Sequence, residues 1–201
     1  MEIKLNIKMC WLDTKFLVIF LLFFGDVVSA LEEPEYQIIK NTPNFEIRHY
    51  SEYLVAEVTL KGSFNSSGNQ AFRILAGYIF GSNQTSEKMK MTAPVMSVDN
   101  NYDEHIYRFV MEKKYTLDSL PIPDDERIRL IKVAPKFMAV KKFSGRWSEK
   151  NYQKSKKALI ESLISENIET IGLPIFARYN APFVPWFLRR NEIMIQINWD
   201  A

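Results

Sequence analysis

Ala56-Glu57-Val58-Thr59-Leu60-Lys61-Gly62-Ser63-Phe64 is echoed later in the chain by Ala139-Val140-Lys141-Lys142-Phe143-Ser144-Gly145-Arg146-Trp147. Each stretch ends a strand and passes into a helix. Leu54, Ala56, Val58 and Leu60 alternate with polar neighbours, the period-two signature of a half-buried strand. Beyond Gly62, Ala71, Phe72, Leu75, Tyr78 and Ile79 recur at spacings of three and four, so a helix follows, with Gly81 placed to cap its end. Beyond Trp147, Ser148 is placed as the N-cap of a helix over 149–165, with Tyr152, Leu159 and Leu163 beside Ile160 and Ile164 on its apolar side.

The surroundings repeat as well. Thr92-Ala93-Pro94-Val95 resembles Asn180-Ala181-Pro182-Phe183, and each precedes another strand. Further strands are expected at 36–39, 45–50, 91–98, 105–111, 127–133, 137–143, 176–180 and 192–198. A strand-helix-strand-strand unit cannot bury its apolar face alone. The expected fold class is therefore α+β, built from a duplicated unit with a sheet between helices, and the seam between the halves is the natural groove.

With 47% apolar and 25% charged residues in 201, the chain has the balance of a globular protein with one sizeable core. A net charge of +2 without a polybasic run gives no field suited to nucleic acid, so no nucleic-acid partner is expected. Lys4, Lys8 and Lys15 precede the apolar run FLVIFLLFF at 16–24, and small residues lead to Ser29 and Ala30. Nine apolar residues make a helix of about 14 Å against a hydrocarbon core of roughly 30 Å. Residues 1–30 thus read as a signal peptide cleaved near Ala30. That leaves 31–201 as a single domain, secreted or in the lumen of the secretory pathway; the alternative is a membrane anchor formed by the same segment. The one cysteine, Cys10, lies in that segment, so the remaining chain offers no disulfide, thiolate or cysteine nucleophile. Asn65 and Asn83 head two glycosylation sequons.

Several stretches in order resemble the SOUL haem-binding proteins: FEIRHY at 45–50, YIFGSN at 78–83, MKMTAPV at 89–95, LPIP at 120–123, 140–145, YNAP at 179–182 and RRNEI at 189–193. The resemblance spans 36–198. It implies a distorted antiparallel β-barrel flanked by two helices, similar to bacterial effector-binding domains of the gyrase-inhibitor type. It also implies haem or another tetrapyrrole as ligand, held in an apolar cleft beside the first helix, in a carrier or buffer role.

Haem is a flat apolar disc with two carboxylates, so its site needs an apolar slot with basic groups at the mouth. On the first helix the slot candidates are Phe72, Leu75, Ala76 and Ile79, which could equally seal the core. The 182–188 loop adds Phe183, Trp186 and Phe187, either over a planar ligand or tucked into the core. Arg73, Arg189 and Arg190 are the candidate propionate partners. His49 shares a strand face with Phe45 and Ile47; it is either an axial ligand to iron or a strand-end histidine bonded to backbone. Arg48, Arg190 and Glu192 are expected to pair structurally, the methionines to fill core, and no dedicated metal site is expected. Two histidines and no cysteine beyond residue 30 leave little from which to build a nucleophile and base, so the reading is a binding protein and not an enzyme. The alternative is an interaction module whose aromatic loop docks a protein or membrane surface, with tetrapyrrole binding incidental.

Overall fold

A computed structural model describes residues 31–99 and 104–199. The signal-peptide reading of 1–30 lies outside them. Strands β1 (Tyr36–Asn41), β2 (Glu46–Tyr50) and β3 (Tyr53–Lys61) lead to helix α1 (Phe64–Ile79) and strands β4 (Val95–Asp99) and β5 (Glu104–Val110). Then come β6 (Arg129–Val133), β7 (Lys136–Phe143), helix α2 (Glu149–Ser165), β8 (Thr170–Arg178), a 3-10 turn at Trp186–Leu188 and β9 (Asn191–Ile197).

Local chemistry sets the helix ends. Ser63 Oγ accepts from the Ser66 amide and Ser148 Oγ from the Asn151 amide, each satisfying a donor that a helix start leaves open. At the far end of α1, Gly81 takes φ +114° and the Ser82 amide reaches back to the Gly77 carbonyl, closing the helix with the left-handed residue that glycine adopts most cheaply. Asn167 at φ 54° closes α2 in the same way, with the Ile168 amide on the Leu163 carbonyl.

Two strand expectations shift. The strand expected from 91 starts only at Val95, because Pro94 has no amide hydrogen to give a ladder, the Thr92 hydroxyl takes the Val110 carbonyl at the end of β5, and the Ala93 amide bonds the Glu32 carbonyl outside the sheet. The strand expected from 176 starts at Thr170. Its first residues are exposed and carry a register shift between Ile171 and Ile175 around Gly172, which erases the alternation that would have marked them.

Among the described residues the strands form one antiparallel sheet ordered β1-β2-β7-β9-β8-β4-β5-β3-β6, joined at its centre by β4 against β8. The expected barrel is a curled half-barrel: β1 and β6 are its two edges, and the order does not close. Residues alternate between the two faces as the pleat requires. Val55, Met96, Val110, Met138, Ala177 and Met194 fill the inner side of the curl. On the outer side α1 lays Ala71, Leu75 and Tyr78 on Val58 and Phe109, while α2 lays Tyr152, Leu159 and Leu163 on Phe176 and Ile193. The two helices therefore flank a strip of outer face over β4 and β8.

Arg48, fully buried on β2, makes a paired contact with fully buried Glu192 of β9, at 3.0 and 3.1 Å, and donates to Tyr50 Oη at 2.9 Å. Arg190 and Tyr179 also donate to Glu192, at 3.0 and 2.8 Å. The expected pairing of Arg48, Arg190 and Glu192 is thus one network. Burial pushes the Tyr50 and Tyr179 hydroxyls well above the usual phenol range, so both stay protonated, Tyr179 donating to Glu192 and Tyr50 accepting from Arg48.

Candidate functional site

On the outer strip, a cleft of about 640 Å³ opens between α1 and the connector that leads into α2. Its size falls within the roughly 300–1,000 Å³ usual for small-molecule sites. Gly68, Asn69, Phe72 and Arg73 of α1 form one wall; Val95 of β4, Tyr107 of β5 and Arg178 of β8 form the floor; Trp147, Asn180 and Pro182 form the other wall. The floor follows from the pleat: Val95 pairs with Arg178 across the central seam and with Phe109 on the other side, so residues of these strands come up between the helices.

Arg178 is the group that stands out. It shares the outward face of β8 with Phe176, and its guanidinium lies 5.6 Å from the Trp147 ring centroid and 5.8 Å from that of Phe176. The residue as a whole is half-buried, but its Nε is shut off from solvent with no hydrogen-bond partner, and no carboxylate pairs with it among the described residues. Burial pulls its pKa below the ordinary arginine value, against a smaller opposite effect of Tyr107. A buried donor without an acceptor is costly, and an anionic oxygen entering the cleft would relieve that cost. Arg73, exposed on the α1 wall, supplies a second positive charge nearer the mouth. Phe72, Val95, Trp147 and Pro182 make the slot between them apolar. Trp147 is fixed by its Nε1, which donates to Asn191 Oδ1 at 2.9 Å, and by the Arg189 guanidinium 4.3 Å from its ring centroid. The arrangement can take a flat apolar molecule with acidic substituents.

Of the residues expected from sequence, Phe72, which is 46% exposed, and Arg73 line this cleft. Leu75, Ala76 and Ile79 do not: they are buried in the core against the sheet, because a three-four stripe points at the strands and only its margin reaches the cleft. Phe183, Trp186 and Phe187 stand off the cleft. Phe183 and Trp186 line an adjoining hollow of about 430 Å³ that shares Trp147 and Pro182 with it. Arg189 is committed to the loop itself, its guanidinium donating to the Val184 and Pro182 carbonyls. Arg190 is committed to Glu192 and Glu33 and sits 3.7 Å over the Tyr179 ring. Neither arginine lines the cleft, although Nη2 of Arg190 is, like Nε of Arg178, buried without a hydrogen-bond partner.

His49 is not an axial ligand in this cleft. It lies on β2 with its ring 4.6 Å from that of Phe137, and two strands, β7 and β9, separate β2 from the β8 floor in the sheet order. Among the described residues no cluster of three or more His, Cys, Asp or Glu side chains is gathered to hold a metal ion. Asn83 is no glycan acceptor in the folded domain: it is 2% exposed and its amide nitrogen donates to the Tyr78 and Glu87 carbonyls. Its oxygen accepts from Thr85 and the Glu87 amide. Asn83→Ala is expected to cost about 1–3 kcal/mol in urea unfolding, because the Tyr78 carbonyl and Glu87 backbone lose their partners. The Asn65 side chain lies outside the described atoms.

Sequence reading missed Arg178, Tyr107 and Trp147. The one signal for Arg178 was its two-residue offset from Phe176, a charge on the apolar, helix-facing side of a strand.

Solved structures with the same fold include the C-terminal domain of EcmrR, with a TM-score of 0.60 and 11% identity over 81% of this chain and 98% of that one. An uncharacterized conserved protein from Listeria innocua matches with a TM-score of 0.56 and 9% identity, over 85% of this chain and 94% of that one. A hydrolase from Listeria innocua matches with a TM-score of 0.54 and 8% identity, over 80% and 94% respectively. At such identities they share the fold alone. No curated protein matches in sequence. The family model of the SOUL heme-binding protein matches residues 31–196, a span that takes in both helices, the central seam and every residue lining the cleft, and the chain therefore belongs to the SOUL heme-binding family.

Proposed function

We propose that the domain binds haem or a related tetrapyrrole in the cleft between α1 and Trp147, with a ring carboxylate on Arg178, and serves as a carrier or buffer in the secretory route. Family membership supports the ligand class, since the family is defined by heme binding. The observation that carries the reading to this cleft is the buried, unpartnered Arg178 Nε over an apolar slot of suitable size. The secretory assignment and the release of 31–201 as one domain rest on the 1–30 segment, with its lysines, short apolar run and small residues before Ala30. Duplication remains part of the proposal. Exchanging β2, β3, β4 and β5 for β6, β7, β8 and β9 turns the sheet order β2-β7-β9-β8-β4-β5-β3-β6 into its own reverse, as two copies of one unit would.

Titrating haem into the protein at micromolar concentration should give a saturable one-to-one shift of the Soret band; no saturable change rejects the reading. Because neither histidine lines the cleft, apolar contact and carboxylate pairing dominate, and metal-free protoporphyrin should bind within about tenfold of haem, a gap under about 1.4 kcal/mol. Gly68 supplies a blocking variant. A Cβ there would meet the Tyr107 hydroxyl at 3.5 Å, an ordinary contact, and a longer side chain would extend into the cleft. Gly68→Leu should keep or raise the melting temperature, since glycine costs about 1 kcal/mol in a helix interior. It should nevertheless weaken tetrapyrrole binding at least tenfold.

A further inference from the structure

The loop after β8 carries the most exposed apolar surface of the described fold. Phe183 is 88% exposed, Trp186 49%, Phe187 57% and Leu188 66%, within one turn of chain. Such a patch is costly in water and marks a surface that meets something apolar. Part of its backbone is paired internally. The carbonyls of Ala181, Pro185 and Trp186 accept from the Val184, Leu188 and Arg189 amides, and Trp186 accepts again from Gly145. The Arg189 side chain takes the Pro182 and Val184 carbonyls, and Pro182 and Pro185 have no amide hydrogen to satisfy. A loop meeting lipid loses water from its polar backbone, and these bonds cover part of that loss, leaving the Phe183, Trp186 and Phe187 amides without a backbone partner at the headgroup level.

The patch also has the chemistry of a bilayer interface. Trp186 and Phe187 meet edge to face at 5.5 Å, a compact and exposed aromatic pair. Aromatic side chains of this kind settle at the headgroup boundary. Arg146, exposed and unpaired among the described residues, lines the hollow beside them, where a lipid phosphate would meet it.

We propose that Phe183 and the Trp186–Leu188 turn dock the domain on a phospholipid surface, with Arg146 on the headgroup phosphates, so that the cleft next to them exchanges its ligand directly with the bilayer. The exchange step rests on the tetrapyrrole reading above; the docking step does not. Haem is an amphiphile that partitions into lipid, and the walls Trp147 and Pro182 belong both to the cleft and to the hollow beneath the loop. Docking would therefore set the mouth of the cleft against the membrane.

Residues 31–201 form a compact unit of their own. Its partition onto phosphatidylcholine–phosphatidylserine vesicles is measured by co-sedimentation without tetrapyrrole, so the apolar run at 16–24 is not there to bind lipid itself. The parent should sediment with vesicles, and Phe183→Ser with Phe187→Ser should lower the partition at least tenfold while leaving haem affinity in vesicle-free solution unchanged. Arg146→Glu should weaken binding to the anionic vesicles but not to pure phosphatidylcholine. A parent that stays in the supernatant overturns the proposal, as does a double variant that partitions like the parent. So does an aromatic tip that only joins two copies, seen as a dimer in equilibrium sedimentation that the double variant dissolves without any vesicle binding. Failure of haem titration with intact vesicle partition would reject the ligand and leave the docking standing.

Discussion

Arg48→Met is expected to lower folding stability by about 3 kcal/mol, the lower end of the roughly 3–5 kcal/mol seen when one partner of a buried ion pair is removed. The lower end applies because Glu192 keeps Arg190 and the Tyr179 hydroxyl. What it loses is the two-pronged contact from Arg48; Tyr50 Oη loses the guanidinium donor with it, and Glu46 keeps only Lys142. A loss of that size changes the ratio of folded to unfolded chain by a factor of about 150, given tenfold per 1.4 kcal/mol. Urea unfolding should show a large drop in midpoint at an unchanged slope, since the surface exposed on unfolding stays the same. Glu192→Met should cost at least as much, because it takes a carboxylate from both guanidinium groups, leaving Arg48 with Glu46 and Tyr50 and Arg190 with Glu33, and removes the acceptor of the Tyr179 hydroxyl. The double variant Arg48→Met with Glu192→Met should cost clearly less than the two single losses added, since an apolar pair of similar volume removes both desolvation costs. Additive losses would mean that the two residues act independently, contrary to their geometry.

The parts of the fold that were legible in the sequence are those in which side-chain period and local end signals agree. The 56–64 and 139–147 stretches have both: alternation on the strand, a three-four stripe on the helix, and a serine at the junction, and the structure starts a helix at each. The helix over 149–165 falls on its sequence bounds, with Ser148 marking its start; its end is closed in the structure by Asn167 in the left-handed region. Legibility fails where partners come from elsewhere in the chain. The first half of β8 is exposed and bulged, so no period marks it. Closure of the sheet is a matter of which edges meet, and no residue of β1 or β6 announces that they do not. The site was half legible for a similar reason. The α1 wall could be read from the helix itself, but a stripe gives no direction for its margin, so Leu75, Ala76 and Ile79 were grouped with Phe72. Arg189 and Arg190 have the right charge for a propionate, yet charge says nothing about prior commitments, and Val184, Pro182, Glu33 and Glu192 already hold them. Arg178 is the converse: what distinguishes it from Arg190 is that no carboxylate pairs with it among the described residues, and an absence in space leaves no mark in a sequence.

Arg178→Met should therefore do two opposite things at once. In the unliganded domain the guanidinium sits partly out of water beside Trp147 and Phe176, its Nε without an acceptor, and its pKa is pulled down by burial. A basic group whose folded pKa lies below its unfolded one opposes folding at every pH at which it is charged, and the opposition lifts only as pH rises through the folded value into the strongly alkaline range. Methionine has no such cost and packs well against aromatic rings. The variant should be at least as stable as the parent between pH 5 and 9, read as an unchanged or raised midpoint in urea. Tetrapyrrole binding should move the other way. A hydrogen bond to a charged group contributes about 1.5–3 kcal/mol, so affinity for haem or protoporphyrin should fall by roughly ten- to a hundredfold. Esterifying the ring carboxylates tests the same contact from the ligand's side: protoporphyrin dimethyl ester should bind the parent much more weakly than the free acid, and the variant should hardly distinguish them. Equal discrimination by both proteins would move the carboxylate away from Arg178, leaving Arg73 as the remaining cation of the cleft. A residue kept for packing alone could not be replaced with a gain in stability and a loss of binding together, so this combination separates a ligand-holding arginine from a structural one.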